Sequence, residues 1–410
     1  MMNTLHILTL LAWRNLWRNH RRTLIMLGAV IVGVWAMIFM TALTRGMVDE
    51  MVKDGIRTLP GHVQIHHPSY RDDPSVANSL APPGRRLRET LDGPAVVAWA
   101  ARVKVPAVVS SERSTRGVVL VGIDPERERA LSFVAGDMAE GRFLQSPEDQ
   151  GLVVGRKLLD RLETDLGKRV VVMSQDRNNE IADRGFRVVG VYDSRLQAQE
   201  EGFVFAGRAT VQRLLGMGDL VSEIAILGTD YRNVDGLRDR VEAAAGPGVT
   251  VEGWAQLDPY LGSMLGMMDG FVLVWIVVVF LALAFGLVNT LIMAVFERVR
   301  EIGLMLALGM TPRSIRAQII AESTFLLALG LLIGDVLAWL TIKPLESGID
   351  LSIVGQGMEY WGASSVLYPA LRWEDVVLAN VVVLVLGFIA SLWPAVRASR
   401  YEPVEAITKV

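Results

Sequence analysis

Five histidines, a scatter of carboxylates and one Gly-Lys pair are the residues of this 410-residue chain that could do chemistry. His62, His66 and His67 fall together in GHVQIHH, where an extended segment places His62 and His66 on one face. A zinc site takes three or four ligands with supporting partners. Two or three imidazoles at what reads as an exposed strand end are therefore expected to be surface residues, and no metal site is assigned. DLGKRV holds a Gly-Lys pair but lacks the upstream glycine and following hydroxyl of a G-x-x-x-x-G-K-[ST] phosphate loop. The chain is not expected to hydrolyse ATP by itself. Neither G-x-S-x-G nor H-E-x-x-H occurs, and Glu200–Glu201 read as solvated charges, so no catalytic residue is assigned and the chain does not read as an enzyme.

Two acids lie within strongly apolar sequence, Glu322 and Asp335. Ionisable groups at membrane depth are costly and point to a role. Glu322 follows closely on a basic stretch and is expected to pair with Arg316 or Arg313 at an interface. Asp335 lies deeper, facing a helix-bundle interior or water. A proton relay would need more titratable partners than these two.

The elements that position these groups follow from hydropathy. Hydrophobic residues make up 51% of the chain and charged residues 21%, but the apolar excess is concentrated. Residues 23–44, 270–296 and 376–396 carry no charge, and 323–342 only Asp335. A bilayer core needs about 20 apolar residues in a helix, so four transmembrane helices are expected, at 23–45, 270–296, 317–342 and 376–396. A cleaved signal peptide has an apolar region of about 7–15 residues and a small-residue cleavage site; the first run is longer and has no such site. Net charge is −3, with no basic excess that argues for nucleic acid, and cysteine is absent.

Basic residues mark the cytoplasmic side. Arg14, Arg18, Arg21 and Arg22 stand in an acid-free, amphipathic segment 1–22. Arg298, Arg300, Arg313 and Arg316 face two glutamates in the connection 297–316, and the tail 397–410 adds Arg397, Arg400 and Lys409. The connection 343–375 is acidic. Both termini and 297–316 are thus expected in the cytoplasm, with 343–375 and the large insert 46–269 outside. The insert alternates strand-like runs (GHVQIHH, VVAWAARVKV, RGVVLVGI, RVVVMS, FRVVGVY, EIAILGT, GVTVEGW) with helical ones (GRKLLDRLETDLG, GRATVQRLLGM, VDGLRDRVEAAA). This predicts an α+β domain inserted between the first and second transmembrane helices, of one or two lobes. HHPSYRDDPSVANSLAPPGRR reads as an exposed connection.

Methionines bracket this insert. Met37, Met40, Met47 and Met51 share one helical face, and Met264, Met267 and Met268 precede Phe271. Methionine is flexible and polarizable and suits promiscuous apolar surfaces. These residues are expected to line a lateral opening that accepts acyl chains, with ordinary helix packing as the alternative.

FERVREIGLMLALGMTPRSIRAQIIAES resembles the signature of FtsX-type ABC transporter permeases, and RASRYEPVEAI the ending of that superfamily. VVLVGIDPE and GLVVGRKLLDRLETDLGKRVVVMS resemble the periplasmic domain of MacB-like and lipoprotein-releasing (Lol-type) permeases. The resemblance implies a multi-pass inner-membrane subunit with a periplasmic domain. It also implies a coupling helix between the second and third spans that docks on a separate dimeric ABC ATPase, which binds the ATP and magnesium. On that reading Glu297, Arg298, Arg300 and Glu301 supply charge, and Ile302, Met305, Leu306 and Leu308 an apolar side. Gly303 and Gly309 fall in the same motif, and Arg313 and Arg316 reach acidic groups or membrane lipid. Leu306 departs from the basic residue usual there. Pro312 after Thr311 suits a helix start.

The resemblance further implies a second permease chain, identical or paralogous, and motion transmitted by mechanotransmission to the periplasmic domains. In some lipoprotein-releasing permeases a hairpin holds a periplasmic carrier; the matching stretch here is Gln175, Asp176, Arg177, Asn178, Asn179 and Glu180, which also reads as a simple exposed hairpin. The first functional expectation is extraction of acylated proteins from the outer leaflet. The alternatives are a MacB-like efflux pump with an adaptor, and an FtsX-like scaffold that controls periplasmic hydrolases.

Overall fold

A computed structural model describes residues 2–194, 197–350 and 366–400. The connection read at 343–375 and the tail at 397–410 lie partly outside them. The described residues divide into two compact units, one of residues 2–49, 265–350 and 366–400, the other of residues 50–194 and 197–264. Helix α1 (Met2–Arg18) precedes α2 (His20–Thr58), whose last residues belong to the second unit.

The second unit is α+β. Its strands are β1 (Val63–His66), β2 (Val96–Ser110), β3 (Thr115–Ile123), β4 (Met138–Gly141) and β5 (Gly151–Gly155), then β6 (Arg169–Gln175), β7 (Ile181–Tyr192), β8 (Phe203–Gly207), β9 (Glu223–Gly228) and β10 (Thr250–Gly253). Between them run α3 (Arg85–Leu91), α4 (Pro125–Glu128), α5 (Arg156–Arg161), α6 (Gln197–Gly202), α7 (Arg208–Leu214), α8 (Asp235–Ala245) and α9 (Trp254–Leu257). The strands form one sheet in the order β10-β1-β9-β2-β3-β8-β5-β7-β4, with β6 joining β2 and β7.

The long strand β2 explains how one sheet reaches separate cores at its two ends. Its first half pairs with β9 as far as Arg102↔Glu223, and its last residues pair with β6 from Val108↔Met173. Val63, Ile65, Leu91, Ile224 and Val241 form the core at the first end, and Val105, Leu120, Leu152, Phe186 and Val204 that at the other. At the changeover Arg102 is wholly buried. It donates to Glu128 at 2.6 Å, to Glu223 at 3.3 Å and to the Leu59 carbonyl just past α2. A buried charge is tolerated when it is paired and hydrogen-bonded in this way.

The seven strand-like runs are strands, but β4, β5 and β8 were missed: GLVVG and FVFAG are short, continuous apolar runs without alternation, and MAEG of β4 is short and mostly exposed. GRKLLDRLETDLG forms helix only to Arg161, and Glu163 turns the chain at φ 48°. The connection after β1 is not freely exposed. Tyr70 is buried and donates to the Lys104 carbonyl at 2.7 Å, and Leu80 bridges to Val221. The histidines are not at an exposed strand end either. Strand β1 lies between β9 and β10, so His62 and His66 are buried. His62 Nδ1 accepts from Gly228 N at 2.9 Å, and His66 Nε2 lies 3.2 Å from Glu252. Among the described residues no three His, Cys, Asp or Glu are grouped to hold a metal. Glu200 is likewise buried rather than solvated, and it accepts from Lys157 N at 3.2 Å. Burial, with Asp193 beside it, raises its pKa.

The first unit is helical. After α2 come α10 (Pro259–Glu297), α11 (Val299–Ala307), α12 (Pro312–Leu345) and α13 (Trp373–Ala398), and a small hairpin pairs β11 (Ile349–Asp350) with β12 (Val366–Leu367). Among the described residues α2, α10, α12 and α13 are long and apolar enough to cross a membrane. Their mutual packing uses small residues. A Cβ on Gly330 or Gly334 of α12 would meet Val30 or Val34 of α2 at 2.5 and 2.9 Å, so glycine there permits the close approach.

Candidate functional site

The segment between α10 and α12 is built from local signals. Gly309 takes φ +94°, and the chain closes α11 with Met310 N to Met305 O at 3.0 Å and Gly309 N to Leu306 O at 3.0 Å. This paired closure needs a left-handed residue, which glycine adopts without a Cβ penalty. Thr311 then caps α12, accepting from Ser314 N, with Pro312 in its first turn. The Gly-Met-Thr-Pro break is a helix stop followed at once by a helix start.

The apolar side expected from Ile302, Met305, Leu306 and Leu308 is divided. Ile302 is 4% exposed and packs with Val295, Ile315, Ile319, Ala395 and Ala398, and Met305 and Leu306 lean on the same cluster. Leu308 is 79% exposed, and with Arg300 and Leu304 it forms an outward stripe at i, i+4, i+8. Leu304 was missed by sequence reasoning. Its exposure depends on which face the cluster takes, and only its spacing from Leu308 hints at it. Leu306 lies inward, where its apolar side chain suits the cluster better than the basic residue usual there. Gly303 is buried, and Arg313 is exposed.

Ion pairs fix this segment. Arg298 Nη1 donates to both oxygens of Glu322 at 3.1 Å, and its Nε to Glu301 at 3.3 Å. Glu322 therefore pairs with Arg298 rather than with Arg313 or Arg316, because it shares a face of α12 with Ile315 and Ile319 that turns toward α11; Arg316 bonds back to the Pro312 carbonyl. Arg18 lies 2.8 Å from Glu301 and Arg22 2.7 Å from Glu297. Partial burial would raise the Glu301 pKa, but the hydrogen bonds and charges of Arg18 and Arg298 hold it below the usual carboxylate range. The expected polar residues Glu297, Arg298 and Glu301 are thus tied within the chain, and Arg300 is left facing outward.

The methionine segments are also divided. Met37 is 1% exposed and Met40 44%; Met268 is buried, whereas Met267 and Phe271 are exposed. Met47, Met51 and Met264 are half-buried. Helices α2 and α10 close on each other at Gly33, where a Cβ would lie 2.5 Å from Leu283 Cδ1, and again where Arg45 meets Asp269 at 2.6 Å. Arg45 also holds Asp375 of α13 through two bonds of 2.9 and 2.7 Å, and Arg372 reaches Asp49 at 3.3 Å. These charges were legible only as the ends of apolar runs. Deeper, Asn380 donates to one Asp335 oxygen at 2.9 Å, and the other oxygen is buried without a hydrogen bond.

In the other unit, strands β6 and β7 stay paired up to Gln175↔Ile181. Asp176, Arg177, Asn178, Asn179 and Glu180 therefore form only a tight turn. Asp176 Oδ1 accepts from Asn178 N at 2.7 Å and Glu180 N at 2.9 Å, and Asn179 adopts φ 59°.

Comparison with known proteins matches both parts of the chain. The family model for the MacB-like periplasmic core domain matches residues 23–244, and that for the FtsX-like permease C-terminal matches residues 273–403. The chain is 24% identical over 393 residues to the lipoprotein-releasing system transmembrane protein LolC of Xylella fastidiosa, covering 92% of this chain and 91% of that one. It is 22% identical over 399 residues to LolC of Neisseria meningitidis, covering 94% and 93%. It is also 24% identical over 428 residues to the macrolide export ATP-binding/permease protein MacB of Bdellovibrio bacteriovorus, covering 94% of this chain and 59% of that protein.

Proposed function

Because this chain belongs to the FtsX-like ABC transporter permeases that carry a MacB-like periplasmic core domain, we propose that it is the membrane subunit of a lipoprotein-releasing transporter. It couples ATP hydrolysis in a separate ATPase to extraction of acylated proteins from the outer leaflet of the inner membrane. The observation that carries the coupling role is the two-faced α11. Ile302, Met305 and Leu306 anchor it inward, while Arg300, Leu304 and Leu308 are left for a partner. An apolar stripe beside a guanidinium suits a groove with an acidic rim. Similarity to LolC along nearly its whole length supports the choice of cargo.

In this reading both termini and α11 are cytoplasmic, in line with the arginines around them, and the Glu50–Met264 unit is periplasmic. Two permease chains assemble with an ATPase dimer. Met40, Met267 and Phe271 offer acyl chains an apolar surface, and the α2–α10 contacts at Gly33 and Arg45 must part for a lateral opening to form. The 176–180 turn is the place for a periplasmic carrier to touch. Similarity to MacB keeps efflux of small molecules or peptides as the second reading.

The deciding experiment purifies the chain with its ATPase and identifies co-purifying molecules by mass spectrometry. Triacylated peptides are the expected result. An outer-membrane duct or an adaptor protein in their place would replace lipoprotein release with efflux. A cell-wall hydrolase would replace it with signalling.

A further inference from the structure

The Glu50–Met264 unit contains a polar cavity of about 480 Å³ that none of the surfaces above uses. Three arginines from separate elements line it: Arg88 of α3, Arg127 of α4 and Arg208 in the first turn of α7. Each is held by something other than a carboxylate. Arg88 Nε donates to the Pro83 carbonyl at 2.8 Å, and Arg208 Nη1 to the Ala101 carbonyl at 3.1 Å. The Arg127 guanidinium lies over the Trp99 ring, 3.9 Å from its centroid, which orients it without neutralising it. Among the described residues none of the three is in an ion pair. Two carboxylates share the lining, and one of them, Asp92, already accepts the Trp99 indole N–H at 2.9 Å. Asp219 is the other.

A guanidinium carries five N–H donors, and Arg88 and Arg208 each direct only one to the backbone. Among the described residues, the three guanidiniums that line the cavity therefore keep donors that the protein does not use. A planar carboxylate is satisfied by a single guanidinium fork, whereas the several oxygens of a phosphate accept from more than one. We propose that this cavity binds a phosphate group, carried by a soluble phosphomonoester or by a lipid headgroup. The site is separate from the coupling helix and the methionine segments, and it does not depend on which cargo the transporter moves.

Calorimetric titration of the full-length protein, in phosphatidylcholine nanodiscs at low ionic strength, tests this with sn-glycerol 3-phosphate as the probe and glycerol as the uncharged control. Saturable binding of the phosphate and none of glycerol is expected. R88Q/R127Q changes two exposed side chains and should weaken the Kd by about tenfold or more, since charge-assisted hydrogen bonds are among the strong ones. D219N removes a neighbouring negative charge and should tighten it by about two- to fivefold. The thermal midpoint of each variant, matched to the parent, verifies folding. Replacing part of the phosphatidylcholine by phosphatidylglycerol separates the sources. A headgroup site loses apparent affinity for the probe by at least about fivefold through competition, and a soluble-ligand site does not. Absence of saturable binding, equal binding of glycerol, or a Kd unmoved by R88Q/R127Q would overturn the proposal.

Discussion

Arg298 and Glu322 meet at 3.1 Å, one guanidinium nitrogen reaching both carboxylate oxygens across two helices. Each side chain is 13% exposed. The pair locks the start of α11 to the body of α12, and the Ile302–Ile315 cluster packs beside it.

Removing one partner should therefore cost more than losing a surface pair. R298A leaves Glu322 a poorly solvated charge with only the weak 3.4 Å contact from Gln318. The cost should approach the ~3–5 kcal/mol seen for broken buried pairs, reduced because this pair is partly exposed. Thermal unfolding in detergent should show the loss, and the swap R298E/E322R should recover part of it. An unchanged melt for R298A would remove the lock from the mechanism.

The two faces of α11 should separate cleanly. L308D alters an exposed side chain, so the thermal midpoint should hold while ATPase co-purification drops by about fivefold or more, as expected for an anchor residue. I302D buries an unpaired charge and should destabilise the subunit by several kcal/mol. Loss of ATPase from I302D but not from L308D would place the docking surface elsewhere.

The Arg45 bridge is asymmetric. Asp375 is 9% exposed and Asp269 79%. D375A should destabilise by about 3–5 kcal/mol, the range for breaking a buried pair. D269A should change stability little and should instead ease separation of α2 from α10, read as a rise in crosslinking of an acylated substrate to Met40 or Met267 positions. Equal destabilisation by both would contradict a latch on the exposed side.

His62 makes the sheet unit pH-sensitive in a defined direction. Burial lowers its pKa, only partly opposed by the charge of Asp230, and its Nδ1 must be unprotonated to accept from Gly228 N. The unfolded chain then binds the proton more readily than the folded one. This contribution is complete above the usual imidazole pKa and is lost as pH falls through that value toward the lowered folded one. Hydrogen exchange at Gly228, corrected for intrinsic rate, should lose protection over that interval, and H62Q should remove the dependence. A flat protection profile in the parent protein would exclude the switch.

Much of the fold was legible because its signals are local. Four long apolar runs correspond to α2, α10, α12 and α13, since the free energy of taking apolar side chains out of water accumulates residue by residue. Alternating runs became strands for the same reason. GLVVG and FVFAG did not announce themselves, because strands covered on both faces lose the alternation that marks them. The start at Thr311 and Pro312 was readable, as caps depend on a few neighbouring residues.

Partnership was not legible. By itself the sequence determined that charges flank each apolar run, that methionines bracket the insert and that α11 carries apolar residues. Only the tertiary structure decided that Glu322 turns to Arg298, that Met37 is covered while Met40 is not, that His62 and His66 are interior, and that Arg88, Arg127 and Arg208 line one cavity. The physical reason is range. A helix cap or an apolar run is settled within a turn or two of chain, whereas a charge takes its partner, and a face its cover, from whichever distant segment packs against it.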